Sequence, residues 1–250
     1  MELHMRRWQS MISQFVLPKY GHSDRFLHDH RKIAEHIATA APANRSIMLD
    51  PFCGAGGNAI AFALSGRWKR VYAIEKDPAT LECAMQNARI YGVHDQITWF
   101  EGDCFEILGL GNGDKEKEVG ALKSVIEQYG VMFASPPWGG ESLDLQDKMS
   151  SASGIFQQPL TDFLGPGYKS EAVFNLDNMQ PYSLRYMFER FKGLAKNMVF
   201  YLPRTSDLQQ IAECVGKDEK AQVVHYCTNG GSRALCAYLG DWGTVHPKSK

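Results

Sequence analysis

Short apolar runs alternate with amphipathic segments along most of the chain. The runs "SIMLD", "RVYAIEKD", "ITWFEGD", "GVMFAS" and "NMVFYLP" each have the length of one buried strand. The segments between them have helical patterns, as in "AIAFALSG" and "ATLECAMQNARIYG". Strands that alternate with helices indicate a mainly parallel α/β sheet.

Glycine, proline and N-cap residues predict where several of the helices begin and end. The helix after the first strand is expected to end at Gly66. Pro78 is expected at the first position of the next helix, with Asp77 as its N-cap and Gly92 beyond its end. Near the C-terminus, "QVVHYCT" and "ALCAYLG" flank the turn signal "NGGSR". This hairpin predicts one antiparallel strand near the edge of the sheet.

Three regions fall outside the alternating pattern. Residues 1–40 are predicted to form an N-terminal extension, partly helical, that contributes to substrate or cofactor binding. Residues 109–121 are rich in Gly, Lys and Glu and are predicted to form a flexible charged loop. Residues 41–250 would form the main domain, with an insert at about 141–181 whose length is typical of a lid or a binding loop.

Composition narrows the classes of function. The chain has 250 residues and a formal net charge of −1, which argues against broad nonspecific binding to a nucleic-acid backbone. The six cysteines show no CxxC or CxxH spacing, so we expect free thiols, no metal site and no disulfide framework. No apolar run approaches the roughly 20 residues of a membrane span. We therefore expect a soluble intracellular protein without a membrane association, and a monomer is favoured.

Acidic residues and glycines lie at the ends of the first two predicted strands. Asp50 closes the first strand, and Gly54, Gly56 and Gly57 follow it in "DPFCGAGG". Glycine allows positive φ and a close approach of the backbone to a ligand. Glu75 follows at the end of the second strand, where an acid can bind the hydroxyls of an adenosine ribose. Nicotinamide dinucleotides and S-adenosylmethionine both use this arrangement, so the two features leave the cofactor open.

A third acid favours S-adenosylmethionine. Asp103, at the end of the third strand, is placed to accept the adenine amino group, with Phe105 expected to cover the ring. Acids at three successive strand ends are more typical of methyltransferases, and no separate substrate domain is evident. The predicted cofactor site comprises Asp50, Phe52, Cys53, Gly54, Gly56, Glu75, Lys76, Asp103 and Cys104.

The fourth predicted strand ends in an unusual motif, "SPPWGG". The prolines have fixed φ and no N–H, so the carbonyls of Ser135 and Pro136 can point into a pocket and accept from an exocyclic amino group. Trp138 would supply a flat face on which a base can stack. Ser135, Pro136 and Trp138 are therefore the predicted catalytic residues, and their effect would come mainly from orientation.

The motifs "DPFCGAGGN", "YAIEKDP", "NARIYG", "EGD", "SPPWGG" and "VFYLPR", in this order, resemble the trimethylguanosine synthase family. The resemblance covers roughly residues 25–108 and 131–240. It implies a Rossmann-like class I methyltransferase that uses S-adenosylmethionine. It also implies methyl transfer to the exocyclic N2 of 7-methylguanosine RNA caps, and hence a protein of the nucleus or the cytoplasm.

The resemblance also implies roles for individual residues. Asn87 matches a family asparagine that contacts the base, and Arg204 matches an arginine that binds cap phosphates; Lys19 is a further candidate for the phosphates. A cationic 7-methylguanine would add a cation–π contribution to stacking on Trp138. The sequence departs from the family at Leu143, where a phosphate-binding tyrosine is common. The insert, for instance Tyr168 or Lys169, is a candidate replacement.

Other classes of function remain open at this point. The nearest alternative is an amino-methyltransferase that acts on guanine N2 or adenine N6 in tRNA, rRNA or DNA, although such enzymes usually carry Asp or Asn before Pro-Pro. A catalytically silent cap-binding protein and an NAD-dependent oxidoreductase fit the residues less well. The sequence does not identify the acceptor RNAs, and it does not say whether one methyl group or two are added.

Overall fold

The computed structural model of the protein describes residues 24–111, 116–138, 173–215, 220–228 and 231–245. Its strands are β1 (Ile47–Asp50), β2 (Arg70–Glu75), β3 (Ile97–Glu101), β4 (Gly130–Ala134), β5 (Asn197–Leu202), β6 (Ala221–Thr228) and β7 (Gly231–Gly240). Its α-helices are α1 (Asp24–Ala40), α2 (Gly57–Leu64), α3 (Pro78–Ile90), α4 (Cys104–Ile107), α5 (Glu116–Tyr129), α6 (Leu184–Phe191) and α7 (Leu208–Cys214).

The strands form one seven-stranded sheet in the order β3-β2-β1-β4-β5-β7-β6. Strands β1 to β5 run parallel to one another. Strand β7 is antiparallel to both of its neighbours, β5 and β6, so it is the one reversed strand and lies second from the edge. This topology confirms the predicted mainly parallel sheet with an antiparallel strand near its edge.

Successive side chains of the central strands point to opposite faces of the sheet, so the core has two layers. Met48 of β1 and Phe133 of β4 pack in the layer that contains α1 and α2. Their neighbours Leu49 and Met132 point to the opposite layer, where α6 packs. All four side chains are essentially inaccessible to solvent, as expected for a parallel sheet that helices cover on both faces.

Helix α1 joins the predicted N-terminal extension to this core. Ile33, Ala34 and Ile37 are buried in the layer that also contains α2. The side chain of His36 forms a hydrogen bond with the Tyr226 hydroxyl of β6. The last turns of α1 are therefore an integral part of the packed fold.

Helix α3 has the termini that the sequence predicts. Asp77 is its N-cap and accepts a hydrogen bond from the Thr80 N–H at 2.8 Å, and Pro78 is the first helical residue. The chain leaves the helix through Gly92, whose φ of +68° is in the left-handed region.

The charged loop predicted at 109–121 is wrong in its second half, because α5 begins at Glu116. The segment is rich in Glu and Lys, which are good helix formers. Leu122, Val125 and Ile126 recur at helical spacing and pack against the core, with Ile126 fully buried. The tertiary contacts of these three residues explain why the charged segment before them is helical.

The cysteines Cys53, Cys83, Cys104, Cys214 and Cys236 are free thiols, as predicted. Lys19, Leu143, Tyr168 and Lys169 lie outside the described residues, as does most of the predicted insert at 141–181. Within the part of the chain that the structure describes, no helix is long and apolar enough to cross a membrane.

Candidate active site

The predicted site lies at the carboxyl edge of the sheet. Strand β1 is flanked by β2 on one side and by β4 on the other, so the chain crosses over between β3 and β4. This reversal of strand order opens a crevice beyond the carboxyl ends of β1 and β4, which is where open α/β sheets bind their ligands. Asp50, Glu75 and Ser135 all lie at strand ends on this edge.

The loop between β1 and α2 requires glycine at two positions. Gly54 and Gly56 have φ values of +52° and +89°. A Cβ on Gly56 would lie 3.1 Å from the Cβ of Ala84, so glycine also permits close packing against α3. The prediction of positive φ is confirmed for Gly54 and Gly56, whereas Gly57 is the first residue of α2 and is helical. The close approach at Gly56, however, is to another helix.

Glu75 connects this loop to β2. Its Oε2 accepts the Gly54 N–H at 2.9 Å, and its Oε1 accepts the Asp77 N–H at 2.9 Å. A carboxylate offers about four lone-pair positions, so acceptor capacity remains for the ribose hydroxyls that we predict there. Glu75 therefore serves the fold and remains available to a ligand.

Asp50 is fully buried at the end of β1. Its Oδ1 accepts the Phe52 N–H at 3.3 Å, and its Oδ2 has no hydrogen-bond partner among the described residues. Burial raises the pKa of Asp50 to about 8, with the Phe52 N–H opposing this shift and the Glu75 charge adding to it. An unpartnered buried carboxylate oxygen fits a cationic ligand group, such as the ammonium of S-adenosylmethionine.

Asp103 lies beyond the end of β3, and several hydrogen-bond donors contact its carboxylate. Its Oδ1 accepts the Phe105 N–H at 2.9 Å, and its Oδ2 accepts the Tyr182 hydroxyl at 2.8 Å. Lys76, which is exposed, lies 3.5 Å from the same Oδ2. Burial acts to raise the pKa of Asp103, but Tyr182, the Phe105 N–H and Lys76 together hold it below its usual value. The carboxylate is therefore kept ionised, in the state that can accept from an adenine amino group.

The expectation that Phe105 covers the adenine ring is wrong. Its ring is buried and stacks on Phe191, with centroids 5.0 Å apart. Helix α6 brings Phe191 from a distant part of the chain. Phe105 therefore belongs to the core.

The remaining predicted cofactor residues line the same loops. Cys53 and Cys104 are buried, and burial raises the pKa of both thiols. Phe52 is half-buried, and its ring meets Phe191 edge-on at 6.4 Å. The thiols are not suited to act as nucleophiles here, because both are held in the protonated state.

The motif after β4 is tied to the glycine loop. Ser135 Oγ accepts from Asn58 Nδ2 at 3.2 Å and donates to the Phe52 carbonyl at 3.4 Å. Asn58 belongs to α2 and is almost fully buried. Pro136 is buried and Pro137 is exposed. The start of the motif is thus fixed by contacts with two neighbouring elements.

Trp138 is half-buried and lies against β5. Its Nε1–H donates to the Tyr201 carbonyl at 3.3 Å, and its ring stacks on the Tyr201 ring with centroids 5.8 Å apart and an interplanar angle of 27°. Within the described ranges, no second ring stacks on Trp138. The stack on the Tyr201 ring and the bond to the Tyr201 carbonyl hold the indole in one orientation.

The two substrate residues suggested by the resemblance differ in position. Asn87 is fully buried, and its amide donates to the Ala55 carbonyl at 3.0 Å, so it braces the glycine loop. This geometry does not support direct contact of Asn87 with a base, and that role stays a prediction. Arg204 is exposed in the turn after β5, at the same edge as Trp138.

The chain that follows residue 172 returns to this edge. The Phe174 N–H donates to the Thr205 carbonyl at 2.8 Å, and the Asp207 N–H donates to the Phe174 carbonyl at 3.0 Å. These bonds hold the segment beside the turn that contains Arg204. Among the described residues, no group of three or more His, Cys, Asp or Glu side chains could hold a metal ion.

The sequence assigns no role to three residues of the site: Asn58, Tyr182 and Tyr201. Each forms its contact with a residue far away in the chain. Asn58 does follow the glycines directly, and a polar residue at an otherwise apolar helix start is the one signal that could have drawn attention to it.

Known proteins share both the sequence features and the fold. The family model for RNA cap guanine-N2 methyltransferases matches residues 45–164 and 161–242. Trimethylguanosine synthase of Schizosaccharomyces pombe is 24% identical over 203 residues, which is 81% of this chain and 69% of that protein. Trimethylguanosine synthase of Saccharomyces cerevisiae is 28% identical over 214 residues, which is 84% of this chain and 56% of that protein. This chain thus spans little more than half the length of the S. cerevisiae protein.

A solved structure of a human methyltransferase 10 domain containing protein has a TM-score of 0.51 to this chain at 12% identity. The match covers 96% of this chain and 95% of that one. This likeness supports the class I methyltransferase fold. Because the family model covers residues 45–242, which is well over half of the chain, the chain belongs to the RNA cap guanine-N2 methyltransferases, whose methyl donor is S-adenosylmethionine.

Proposed function

We propose that this chain transfers a methyl group from S-adenosylmethionine to the exocyclic N2 of a 7-methylguanosine RNA cap. The observation that carries the proposal is the placement of Trp138. Its ring is oriented by Tyr201 at the edge of the sheet where the acids of the predicted cofactor site lie. A capped RNA substrate would be met in the nucleus or the cytoplasm.

The arrangement supports recognition of a cationic base. A 7-methylguanine ring carries a positive charge, and stacking on an indole adds about 1–2 kcal/mol of cation–π attraction once the pair is desolvated. The Tyr201 stack and the bond to the Tyr201 carbonyl limit rotation of the indole, so less entropy is lost when the base binds. The site should therefore prefer a cap already methylated at N7 over unmodified guanine.

The residues present favour catalysis by orientation. Bound S-adenosylmethionine supplies an electrophilic methyl group. The carbonyls of Ser135 and Pro136 would accept the two N2 hydrogens of guanine and hold the nitrogen in line with that methyl group. The Asn58 and Phe52 contacts of Ser135 fix the start of this loop. The cationic ring makes loss of the N2 proton easier, so the mechanism requires no strong general base.

Arg204 is the described candidate for the cap phosphates. It is exposed in the turn that the segment after residue 172 contacts. Arginine can bind phosphate through two parallel hydrogen bonds. Replacement of Arg204 by Gln should therefore weaken binding of 7-methyl-GDP more than binding of the free 7-methylguanosine nucleoside.

Mass spectrometry of 7-methyl-GDP after incubation with the enzyme and S-adenosylmethionine tests the proposal. We expect products heavier by one or two methyl groups, and GDP should react far more slowly. A product formed equally well from GDP, or no product from the capped nucleotide, would contradict the proposal. Failure of free 7-methyl-GDP to inhibit methylation of another nucleic acid would instead favour an amino-methyltransferase of tRNA, rRNA or DNA.

Variants of Trp138 separate stacking from folding. Trp138→Ala should reduce methyl transfer by at least about 100-fold, whereas Trp138→Phe, which retains a smaller ring, should keep an intermediate rate. Binding of S-adenosylhomocysteine, measured by calorimetry, should change less than about twofold in both variants. If Trp138→Ala retained near-parental turnover, the stacking role would be wrong.

A further inference from the structure

Tyr182 joins the chain that follows residue 172 to the predicted adenine end of the cofactor site. It lies just before Ser183, the N-cap of α6. Its hydroxyl donates to Asp103 Oδ2 at 2.8 Å, although the two residues are 79 positions apart in the chain. The contact therefore brings together elements that follow different strands of the sheet.

Neighbouring side chains hold the Tyr182 ring in place. It stacks on Tyr186 with centroids 5.2 Å apart and an interplanar angle of 9°. It meets Phe105 edge-on at 4.7 Å. The guanidinium of Arg190 lies 4.9 Å from the Tyr186 ring centroid and donates to the Leu110 carbonyl. The hydroxyl is therefore presented to Asp103 by a ring with contacts on two sides.

Asp103 receives fixed donors on both carboxylate oxygens. The Phe105 N–H occupies Oδ1 and the Tyr182 hydroxyl occupies Oδ2. Lys76, at 3.5 Å and largely exposed, is a weaker and more mobile neighbour of Oδ2. The two fixed donors determine the rotation of the carboxylate, and even with Lys76 as a third donor one of its roughly four lone-pair positions stays available.

We propose that Tyr182 is a positioning residue that orients Asp103 to accept the 6-amino group of the cofactor's adenine. The inference rests on the placement of adenine at Asp103 that is part of the proposed function. An ionised carboxylate can only accept hydrogen bonds. It therefore favours adenine, which presents a donor at position 6, over hypoxanthine, which presents an oxygen there. Tyr182 thus contributes to selection of the base of the cofactor.

Calorimetry with two ligands tests this role. S-adenosylhomocysteine carries the 6-amino group, and S-inosylhomocysteine carries an oxygen at the same position. Tyr182→Phe keeps the ring and removes only the hydroxyl. We expect it to raise the Kd for S-adenosylhomocysteine roughly tenfold, because a carboxylate that is free to rotate forms a weaker hydrogen bond with the 6-amino group. The Kd for S-inosylhomocysteine should change less than about twofold.

Tyr186→Phe is the matched control. It removes a hydroxyl from the ring that stacks on Tyr182, and both Kd values should stay within about twofold of the parental values. In an Asp103→Asn background, Tyr182→Phe should lose its selective effect, because the carboxylate that it orients is absent. Circular dichroism and the thermal midpoint verify that each variant is folded.

Three results would overturn the inference. Equal weakening of both ligands by Tyr182→Phe would indicate a general structural role. Unchanged binding of S-adenosylhomocysteine would show that the hydroxyl is dispensable. Tighter binding of S-adenosylhomocysteine by Tyr182→Phe would show that the Tyr182 hydroxyl competes with adenine for Asp103. The measurement needs no RNA, so failure of cap methylation would leave it interpretable and would count only against the proposed function.

Discussion

Replacement of Asp50 by Asn is expected to make the fold more stable at neutral pH while weakening the binding of the cofactor. Asp50 is fully buried, and burial raises its pKa from 3.8 to about 8. Between these two pH values the unfolded chain has lost a proton that the folded chain keeps. The free energy of unfolding therefore falls as pH rises, by about 1.4 kcal/mol per pH unit from this group alone.

The size of the effect follows from the interval between the two pKa values. Between pH 3.8, the pKa of Asp50 in the unfolded chain, and pH 7, this group lowers the free energy of unfolding by about 4 kcal/mol. Asparagine avoids this cost, but its buried NH₂ group would lack a partner in place of Oδ2, which costs about 1–3 kcal/mol. Asp50→Asn should therefore be close to neutral at pH 5 and stabilising at pH 7, and the gap between the two proteins should widen by about 3 kcal/mol.

Urea unfolding followed by tryptophan fluorescence at pH 5, 6, 7 and 8 measures this gap. Asp77→Asn is the matched control, because Asp77 is an exposed N-cap and asparagine is also a good cap. Its difference from the parent should stay nearly constant over the same range. A gap for Asp50→Asn that did not change with pH would refute the reasoning. In parallel, its affinity for S-adenosylhomocysteine should fall about tenfold or more, because asparagine cannot ionise to pair with the ammonium, whereas a bound cation would lower the pKa of Asp50 and favour its charged form.

Two further predictions concern the loop between β1 and α2 and the first turn of α2. Gly56→Ala should lower the free energy of unfolding, measured in urea, by about 2–4 kcal/mol. The new side chain would combine a φ of +89° with a Cβ 3.1 Å from that of Ala84. Gly66 also has positive φ but an open environment, so Gly66→Ala should cost only about 1 kcal/mol. Asn58→Ala should lower kcat for cap methylation roughly tenfold and leave the Kd for S-adenosylhomocysteine within about twofold, because Asn58 donates to Ser135 of the motif after β4. Equal losses in the two glycine variants, or an Asn58 variant with normal kcat, would contradict the packing and positioning roles.

The sequence predicts the strands and the place of the site because both depend on local information. An apolar run bounded by turn residues is sufficient to identify a buried strand, and parallel strands all end at the same edge. Asp50, Glu75 and Ser135 could therefore be assigned to one region before any contact was known. The helix that begins at Glu116 is not predicted because the charged residues at its start have the composition of a loop, and its fully buried residue, Ile126, lies near its C-terminal end.

Burial and side-chain partners depend on contacts between distant segments. Tyr182 contacts Asp103 across 79 positions, and Trp138 contacts Tyr201 across 63. No spacing rule connects such pairs. The same limit explains the error at Phe105, since its burial depends on α6, which α5 and β4 separate from Phe105 along the chain.

A residue in a motif can be required by the fold itself or by a ligand, and the structure distinguishes the two cases. The spacing between the glycines and Glu75 predicts a nucleotide site, yet both Glu75 oxygens bind backbone N–H groups of the fold itself. Folding alone would therefore favour an acid at this position, and Glu75 is weak evidence for a ligand. Asp50 differs, because Oδ2 is buried without a partner among the described residues and burial raises the pKa of the group. A carboxyl group that costs the fold stability at neutral pH requires a reason outside the fold, and a cationic ligand group at this edge provides one.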